Sequence, residues 1–234
     1  MNQPRPSVLP SVLIVGAGLG LSAALARLCA GEGMAVALAA RDPKKLEPLV
    51  QEVGGRSFPC DAVNPEHVRR LFDWLSDDFG VPELVVYNPS ARARGPVVEL
   101  DPEQVRAALM VTCYGGFMVG QAAARNMLER GSGTILFTGA SASVKGYAQS
   151  ASFAMGKFGL RGLAQSMARE LAPKNIHVGH FVIDGGIRPP DAEPDPNDGQ
   201  LDPDAIAQAY LAMHRQHRSA WTWEVELRPW VEKF

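Results

Sequence analysis

Short apolar segments alternate with amphipathic segments along the whole chain. Three segments are almost wholly apolar, as in strands buried on both faces of a parallel sheet: 12–15, 84–87 and 176–183. The same criteria and the turn residues beside them predict further strands at 34–40, 56–60, 133–138 and 221–227. Apolar residues at helical spacing predict helices at 21–30, 43–53, 65–79, 102–130 and 203–217, and one more that ends near residue 173.

This alternation predicts an α/β fold, a doubly wound (Rossmann-type) parallel sheet of about seven strands with helices on both faces. With 234 residues and 46% hydrophobic residues, a single dinucleotide-binding domain over residues 1–234 is the simplest interpretation. A segment rich in Pro, Asp and Gly, at about 184–203, predicts a loop on the substrate side of that domain.

A glycine-rich turn joins the first predicted strand to the first helix. Glycines allow backbone to approach a ligand closely, and a helix N-terminus favours a pyrophosphate group. The predicted cofactor contacts here are Gly16, Gly18, Leu19, Gly20 and Leu21. The alternative is a plain tight turn between strand and helix, and the position near the N-terminus favours the dinucleotide site.

Two motifs resemble the short-chain dehydrogenase/reductase superfamily. Gly16, Gly20 and the small residue Ser22 follow its G-x-x-x-G-x-G spacing. The segment GASASVKGYAQSASFAMGKFGLRGLAQSMARELAP, residues 139–173, resembles its active-site segment. The resemblance covers nearly the whole chain and implies hydride transfer between a nicotinamide cofactor and a small carbonyl or alcohol. It also implies a homodimer or homotetramer.

The end of the second strand predicts a preference for NADP(H) over NAD(H). An acidic residue commonly binds the ribose 2′-hydroxyl of NAD at this place, but here the chain reads Ala40-Arg41. The guanidinium of Arg41 suits a 2′-phosphate, although a solvated arginine at a helix start is the alternative. Asp42 is a candidate ribose contact or an N-cap before Pro43.

The resemblance implies further cofactor contacts along the chain. Asp61, with Ala62, stands where the family contacts the adenine, although a simple loop acid remains the alternative. Asn88 matches the first residue of the family's N-N-A-G segment, and Ile187 falls where a backbone group binds the nicotinamide carboxamide. Lys157 matches the family lysine that contacts the nicotinamide ribose.

The chain departs from the family at three catalytic positions. Phe153 stands at the tyrosine position, Ala140 at the serine position and Thr112 at the asparagine position. The remaining candidate catalytic residues are Lys157, Ser141 and Tyr147. Three functions stay open: an NADP(H)-dependent oxidoreductase, an NADP(H)-binding sensor or partner subunit without redox activity, and a different reaction that uses Ser141 or Tyr147.

Composition and charge limit the binding partners and the cellular compartment that we expect. A net charge of −2 gives no indication of nucleic acid or of an anionic membrane surface. The chain shows no apolar run of membrane-spanning length and no signal-peptide core in residues 1–10. Three scattered cysteines indicate reduced thiols in the cytoplasm, and the five histidines lack the spacing of a metal site.

Overall fold

Seven parallel strands form one sheet in the computed structural model, which describes residues 10–232. The strands are β1 (Ser11–Val15), β2 (Ala35–Ala40), β3 (Arg56–Pro59), β4 (Leu84–Tyr87), β5 (Gly133–Thr138), β6 (Ile176–Ile183) and β7 (Glu224–Leu227). Their order is β3-β2-β1-β4-β5-β6-β7, with every neighbouring pair parallel. This confirms the predicted doubly wound α/β sheet. Residues 1–9, most of the segment in which a signal peptide was sought, lie outside the described residues.

Helices cover both faces of the sheet. One face carries α1 (Leu21–Gly31), α2 (Glu47–Val53) and a C-terminal helix, Pro203–His214. The other carries α3 (Pro65–Asp78) and two long helices, Gly115–Arg130 and Ala151–Leu171, with Pro102–Leu109 beside the last. These four helices are numbered in chain order: α4 is Pro102–Leu109, α5 is Gly115–Arg130, α6 is Ala151–Leu171 and α7 is Pro203–His214. Two hydrophobic cores result, because alternate strand residues face opposite helix layers.

Side-chain caps begin three helices where the sequence predicts them. Asn64 accepts from the amides of residues 66 and 67 at the start of α3. Asp101 and Asp202 each accept from the second amide of α4 and α7. A proline follows each cap, where its missing N–H costs the helix nothing.

A π-helical turn, Met110–Tyr114, interrupts the predicted helix at 102–130. The hydroxyl of Tyr87 donates to the carbonyl oxygen of Val111 within that turn. Such a turn inserts one residue into the helix and is frequent at functional sites. It divides α4 from α5 and fixes the direction of Thr112, which is fully buried.

The segment Pro102–Arg130 is long and apolar enough to cross a membrane by length and composition, which the sequence analysis overlooked. Its glycines pack it into the fold instead. A Cβ added at Gly116 would lie 2.5 Å from a methyl carbon of Leu160, and one at Gly120 would lie 2.9 Å from Phe137. These small residues therefore let the helix pack closely against α6 and the sheet.

Three further elements differ from the prediction. The helix predicted at 43–53 is a 3-10 turn, Pro43–Leu46, followed by α2. The predicted last helix and last strand are both shorter than expected, because Gln216 holds the residues between them. Its side chain accepts from the Thr222 amide at 2.8 Å, and its carbonyl oxygen accepts from the indole of Trp221.

The sheet order reverses between β1 and β4. The carboxyl ends of these two strands therefore diverge toward opposite helix layers and leave a crevice. In sheets of this kind ligands bind in that crevice, so the fold itself locates the candidate site.

Candidate active site

The glycine-rich turn after β1 combines a structural glycine with two open ones. Gly16 has a φ of +76°, and a Cβ there would lie 2.6 Å from Pro89. No atom lies within 4 Å of a Cβ added at Gly18 or Gly20. The turn itself thus requires Gly16, whereas Gly18 and Gly20 leave backbone exposed to open space.

The open glycines face a cavity of about 300 Å³ at the N-terminus of α1. Its lining includes Gly20, Leu21 and Ile187, which the sequence analysis named as cofactor contacts. The first amides of α1 have no side-chain cap, so the positive end of the helix dipole is free to meet an anion. Arg188 also lines this cavity and pairs with Asp202 at 2.7 Å.

A second cavity of about 620 Å³ continues from the glycine turn across the ends of β2, β3 and β4. Seven of the predicted cofactor residues line it: Gly16, Gly18, Leu19, Arg41, Asp61, Ala62 and Asn88. The two cavities share Gly16, Gly18 and Asn88. Together they form one continuous groove around the glycine turn.

Arg41 lies at the mouth of the larger cavity. Its side chain makes no hydrogen bond or ion pair with a residue of the described range 10–232. Lys45 lines the same cavity, and its ammonium lies 3.6 Å from the carboxylate of Asp42. Lys45 was not predicted from the sequence; it lies in the 3-10 turn, Pro43–Leu46, that follows Arg41.

Asp61 and Asn88 are held by neighbouring groups. One carboxylate oxygen of Asp61, a residue in the lining of the larger cavity, accepts from the Val63 amide at 3.2 Å. The side-chain amide of Asn88 donates to the Ser22 hydroxyl at 2.8 Å. Asn88 thereby ties the end of β4 to the start of α1 and keeps the glycine turn in place.

Lys157 is buried in α6, with 2% of its surface exposed. Its ammonium donates to the Thr138 carbonyl oxygen at 2.7 Å, and no carboxylate among residues 10–232 pairs with it. Burial and then the charge of Arg92 lower the pKa of Lys157 to about 7. A lysine of this kind changes protonation state near neutral pH.

Phe153 lies one helical turn before Lys157 and is mostly buried. The guanidinium carbon of Arg92 lies 4.0 Å from the centre of its ring, and the ammonium of Lys157 lies 5.8 Å from the same point. Two cations therefore lie within 6 Å of the centre of the same aromatic ring. The sequence analysis did not name Arg92, because it stands in a loop without a recognisable motif.

The structure does not bring the other two candidate catalytic residues into contact with Lys157. Ser141 is the half-buried first residue of a 3-10 turn, Ser141–Ser143. Tyr147 is 46% exposed in the loop before α6, where Lys145 lies 5.8 Å from its ring centre. Thr112 does not face open space either, since its hydroxyl bonds to the backbone of Ala91.

A buried histidine lies beneath this site. His180 of β6 is fully buried, and its Nδ1 lies 3.0 Å from a carboxylate oxygen of Glu224. Arg161 donates two hydrogen bonds to the same carboxylate, at 2.6 and 2.7 Å. Burial lowers the pKa of His180 to about 4, so the ring is neutral at pH 7. No group of His, Cys, Asp and Glu within the described chain is arranged to hold a metal ion.

Comparison with known families agrees with this geometry. The model of the short chain dehydrogenase family matches residues 10–192, which include the glycine turn, both cavities and most of α6. The chain belongs to the short-chain dehydrogenase family. Its match covers more than three quarters of the chain and contains every predicted site residue.

Curated short-chain dehydrogenases related to this chain are oxidoreductases. A D-threitol dehydrogenase of Mycolicibacterium smegmatis is 27% identical over 71% of this chain and 66% of its own length. The 3-oxoacyl-[acyl-carrier-protein] reductase MabA of Mycobacterium tuberculosis is 29% identical over 73% of this chain and 67% of its own length. The chain thus matches about two thirds of each relative.

Solved short-chain dehydrogenase structures share the fold. One from Rhodopseudomonas palustris is 38% identical, covers 94% of this chain and 99% of its own, and superimposes with a TM-score of 0.80. An alcohol dehydrogenase from Thermococcus sibiricus, complexed with 5-hydroxy-NADP, is 24% identical and covers 96% and 98% of the two chains with a TM-score of 0.84. The second likeness establishes the fold alone.

The residues of this short-chain dehydrogenase fit a nicotinamide dinucleotide. Gly18 and Gly20 leave the space that a pyrophosphate occupies, above the free amides of α1. The larger cavity ends at an arginine without a partner in the described chain.

Proposed function

We propose that this protein is an NADP(H)-dependent oxidoreductase that transfers hydride between NADP(H) and a small carbonyl or alcohol substrate. The observation that carries the proposal is Arg41 in the lining of the larger cavity. Its side chain has no hydrogen-bond or ion-pair partner among residues 10–232, and Ala40 replaces the acid that suits NAD. In this proposal residues 1–234 act as one dinucleotide-binding domain, and the loop at about 184–203 covers its substrate side.

The proposed cofactor contacts line the two cavities, except for Lys157, which lines neither. The pyrophosphate lies on Gly16, Gly18, Leu19, Gly20 and Leu21. Arg41 binds the 2′-phosphate. The remaining proposed contacts are Asp61 and Ala62 at the adenine, Asn88 beside the central strands, Ile187 at the carboxamide and Lys157 at the nicotinamide ribose.

The bound cofactor supplies or accepts the hydride, and this chain's residues place the substrate and manage the proton. In this proposal Phe153 and Ala140 stand at the positions of the family's tyrosine and serine. Neither side chain donates a proton. We therefore propose Lys157, with its pKa of about 7, and the hydroxyls of Ser141 and Tyr147 as the candidate catalytic residues.

A second candidate function is NADP(H) binding without redox activity, as a sensor or a partner subunit. The observation that favours it is the ring of Phe153, which carries no acidic group and stacks against Arg92. Loss of a positioned general acid typically costs about 10²–10⁴ in rate. Activity on ordinary ketones and alcohols is the property that separates the two candidates.

Titration calorimetry with NADPH and NADH, followed by a panel of carbonyl and alcohol substrates, tests the proposal. We expect NADPH to bind more tightly than NADH and at least one substrate to change the absorbance of the cofactor. Equal affinity for the two cofactors contradicts the NADP(H) preference. Tight NADPH binding without turnover of any substrate supports the second candidate instead.

We also propose a cytoplasmic homodimer or homotetramer. Apolar side chains on the outer surfaces of the π-turn, α5 and α6 support self-association: Tyr114, Phe117, Met155 and Phe158. The three cysteines are free thiols, as in a reducing compartment. Light scattering coupled to size-exclusion chromatography gives the oligomeric state, and a monomer at micromolar concentration contradicts this part.

A further inference from the structure

Three cations gather around Phe153, the residue that the proposed function puts at the position of the family's catalytic tyrosine. Arg92 and Lys157 both lie within 6 Å of the centre of the Phe153 ring. Arg94 lies close enough that its charge adds to burial in lowering the pKa of Arg92. No carboxylate within residues 10–232 forms an ion pair with any of the three. An anion that enters this place meets positive charge that the protein leaves uncompensated.

The carboxylate of Asp184 already forms ion pairs with other residues. Asp184, at the end of β6, is almost completely buried. Arg228 lies 2.9 Å and Lys145 3.5 Å from its carboxylate. Asp184 is therefore committed to holding the end of β7 and the loop before α6, and it does not neutralise Arg92.

The backbone on both sides of Arg92 is clamped by two buried hydroxyls. Thr112 accepts from the amide of Ala91 at 3.0 Å and donates to the carbonyl oxygen of the same residue at 3.1 Å. Ser152 does the same for Ala93, at 2.8 and 2.9 Å. The two clamping side chains are fully buried. Because the backbone is held on both sides of Arg92, the direction in which its side chain leaves the backbone is fixed.

We propose that Arg92 binds a carboxylate of the substrate, which makes a small oxo acid or hydroxy acid the substrate class. The planar guanidinium matches a carboxylate with two parallel hydrogen bonds. Stacking on Phe153 holds the guanidinium plane while its edge remains free for the ligand. This inference rests on the proposed oxidoreductase function, because it names the substrate of the same site.

Matched pairs of acids and esters test the role of Arg92. The probes are pyruvate and acetoacetate beside their methyl esters, each assayed with NADPH on the wild type, Arg92→Gln and Arg92→Lys. We expect the wild type to prefer the acids, and Arg92→Gln to lower kcat/KM for the acids about 10- to 100-fold, the range of a lost charge-assisted hydrogen bond, with the esters unchanged. Arg92→Lys retains part of the preference. Arg106→Gln, an exposed arginine on α4, is the control and changes neither.

Binding of oxamate, a carboxylate that cannot be reduced in this way, separates this inference from the oxidoreductase function. Calorimetry follows oxamate binding to the NADPH complex of the wild type and of Arg92→Gln. Binding that Arg92→Gln abolishes supports the carboxylate site even if no carbonyl is turned over.

Three outcomes overturn the carboxylate site. Turnover of esters as fast as acids overturns it while the oxidoreductase function stands. Weaker NADPH binding in Arg92→Gln also overturns it, because Arg92 would then serve the cofactor. Absence of both oxamate binding and acid preference overturns it as well.

Discussion

The ammonium of Lys157 donates a 2.7 Å hydrogen bond to the carbonyl oxygen of Thr138. This neutral acceptor is its partner in a place where water has almost no access. A buried ammonium without a carboxylate is costly, which is why the pKa of Lys157 falls from an ordinary 10.5 to about 7. The site therefore retains a lysine that destabilises the fold, and this has measurable consequences.

We expect Lys157→Met to stabilise the protein at pH 6 to 7. Between pH 7 and 10.5 the folded chain binds fewer protons at this residue than the unfolded chain. The unfolding free energy of the wild type consequently rises with pH across that interval, and the penalty is fully present below it. Removing the charge removes the penalty. Thermal unfolding at pH 6, 8 and 9.5 measures the difference in Tm between the two proteins.

Lys44→Met is the matched control for that series. Lys44 is an exposed lysine outside both cavities, so its removal leaves the pH dependence of Tm unchanged. A Lys157→Met protein with a lower Tm than wild type at pH 6 would show that the amine contributes more through its hydrogen bond than it costs through burial.

Acid stability is expected to depend on His180. Burial holds the pKa of His180 near 4, below the value of about 6.5 in an unfolded chain. The unfolded chain binds more protons between those values, so stability falls as pH falls through that range. We expect His180→Gln to show a smaller decrease in Tm between pH 7.5 and 5 than wild type. His217→Gln, at an exposed histidine, serves as the control and keeps the full decrease.

Substitutions at two glycines of the turn are expected to have different effects, one on folding stability and one on NADPH binding. Gly16→Ala places a Cβ against Pro89 at a positive φ and should destabilise the fold by about 1–3 kcal/mol. Gly18→Val adds atoms in open space, so it should fold normally and lose NADPH. Chemical denaturation and titration calorimetry separate the effects. Unfolding of the Gly18→Val protein would show that this glycine also serves the structure.

Most of the fold follows from local sequence pattern. The strands β1, β4 and β6 are nearly continuous apolar runs. In a chain of this size such short runs indicate strands that are buried on both faces of a parallel sheet. The π-turn in the predicted helix at 102–130 was not predictable, because it depends on the Tyr87 hydroxyl, which reaches Val111 from another element. The shorter β7 was not predictable either. The hydrogen bond between the Gln216 side chain and the residues before β7 leaves no trace in the periodicity of the sequence.

The site was predictable where a motif fixes backbone geometry. The glycines and Arg41 follow strand ends directly, so their sequence positions locate them in the groove. Arg92 was missed because a clamp from Thr112 and Ser152 positions it, and these hydroxyls come from distant segments. The sequence analysis noted Thr112 only as a substitute in the catalytic group. Its hydroxyl instead bonds the loop that carries Arg92.

We expect Arg41→Ala to weaken NADPH binding by about 1–3 kcal/mol and to leave NADH nearly unchanged. The loss is that of a charge-assisted hydrogen bond to the 2′-phosphate. Calorimetry with both cofactors measures it, and Lys44→Ala controls for the general loss of one positive charge nearby. An equal loss for both cofactors would place Arg41 on a part of the dinucleotide that NAD shares.

Introducing tyrosine and serine at positions 153 and 140, where we propose that the family's catalytic pair would stand, tests whether the rate of reaction is limited by a missing acid. In Phe153→Tyr with Ala140→Ser, the new phenol lies in the plane of the ring, so the stacked guanidinium of Arg92 remains in place. Lys157 then lies one helical turn from a tyrosine, as in the family. We expect the double variant to turn over a broad carbonyl panel about 10²-fold or more faster than wild type, the scale of a positioned general acid. Fast turnover by the wild type, lost in Tyr147→Phe or Ser141→Ala, would instead show that one of those hydroxyls performs the proton transfer.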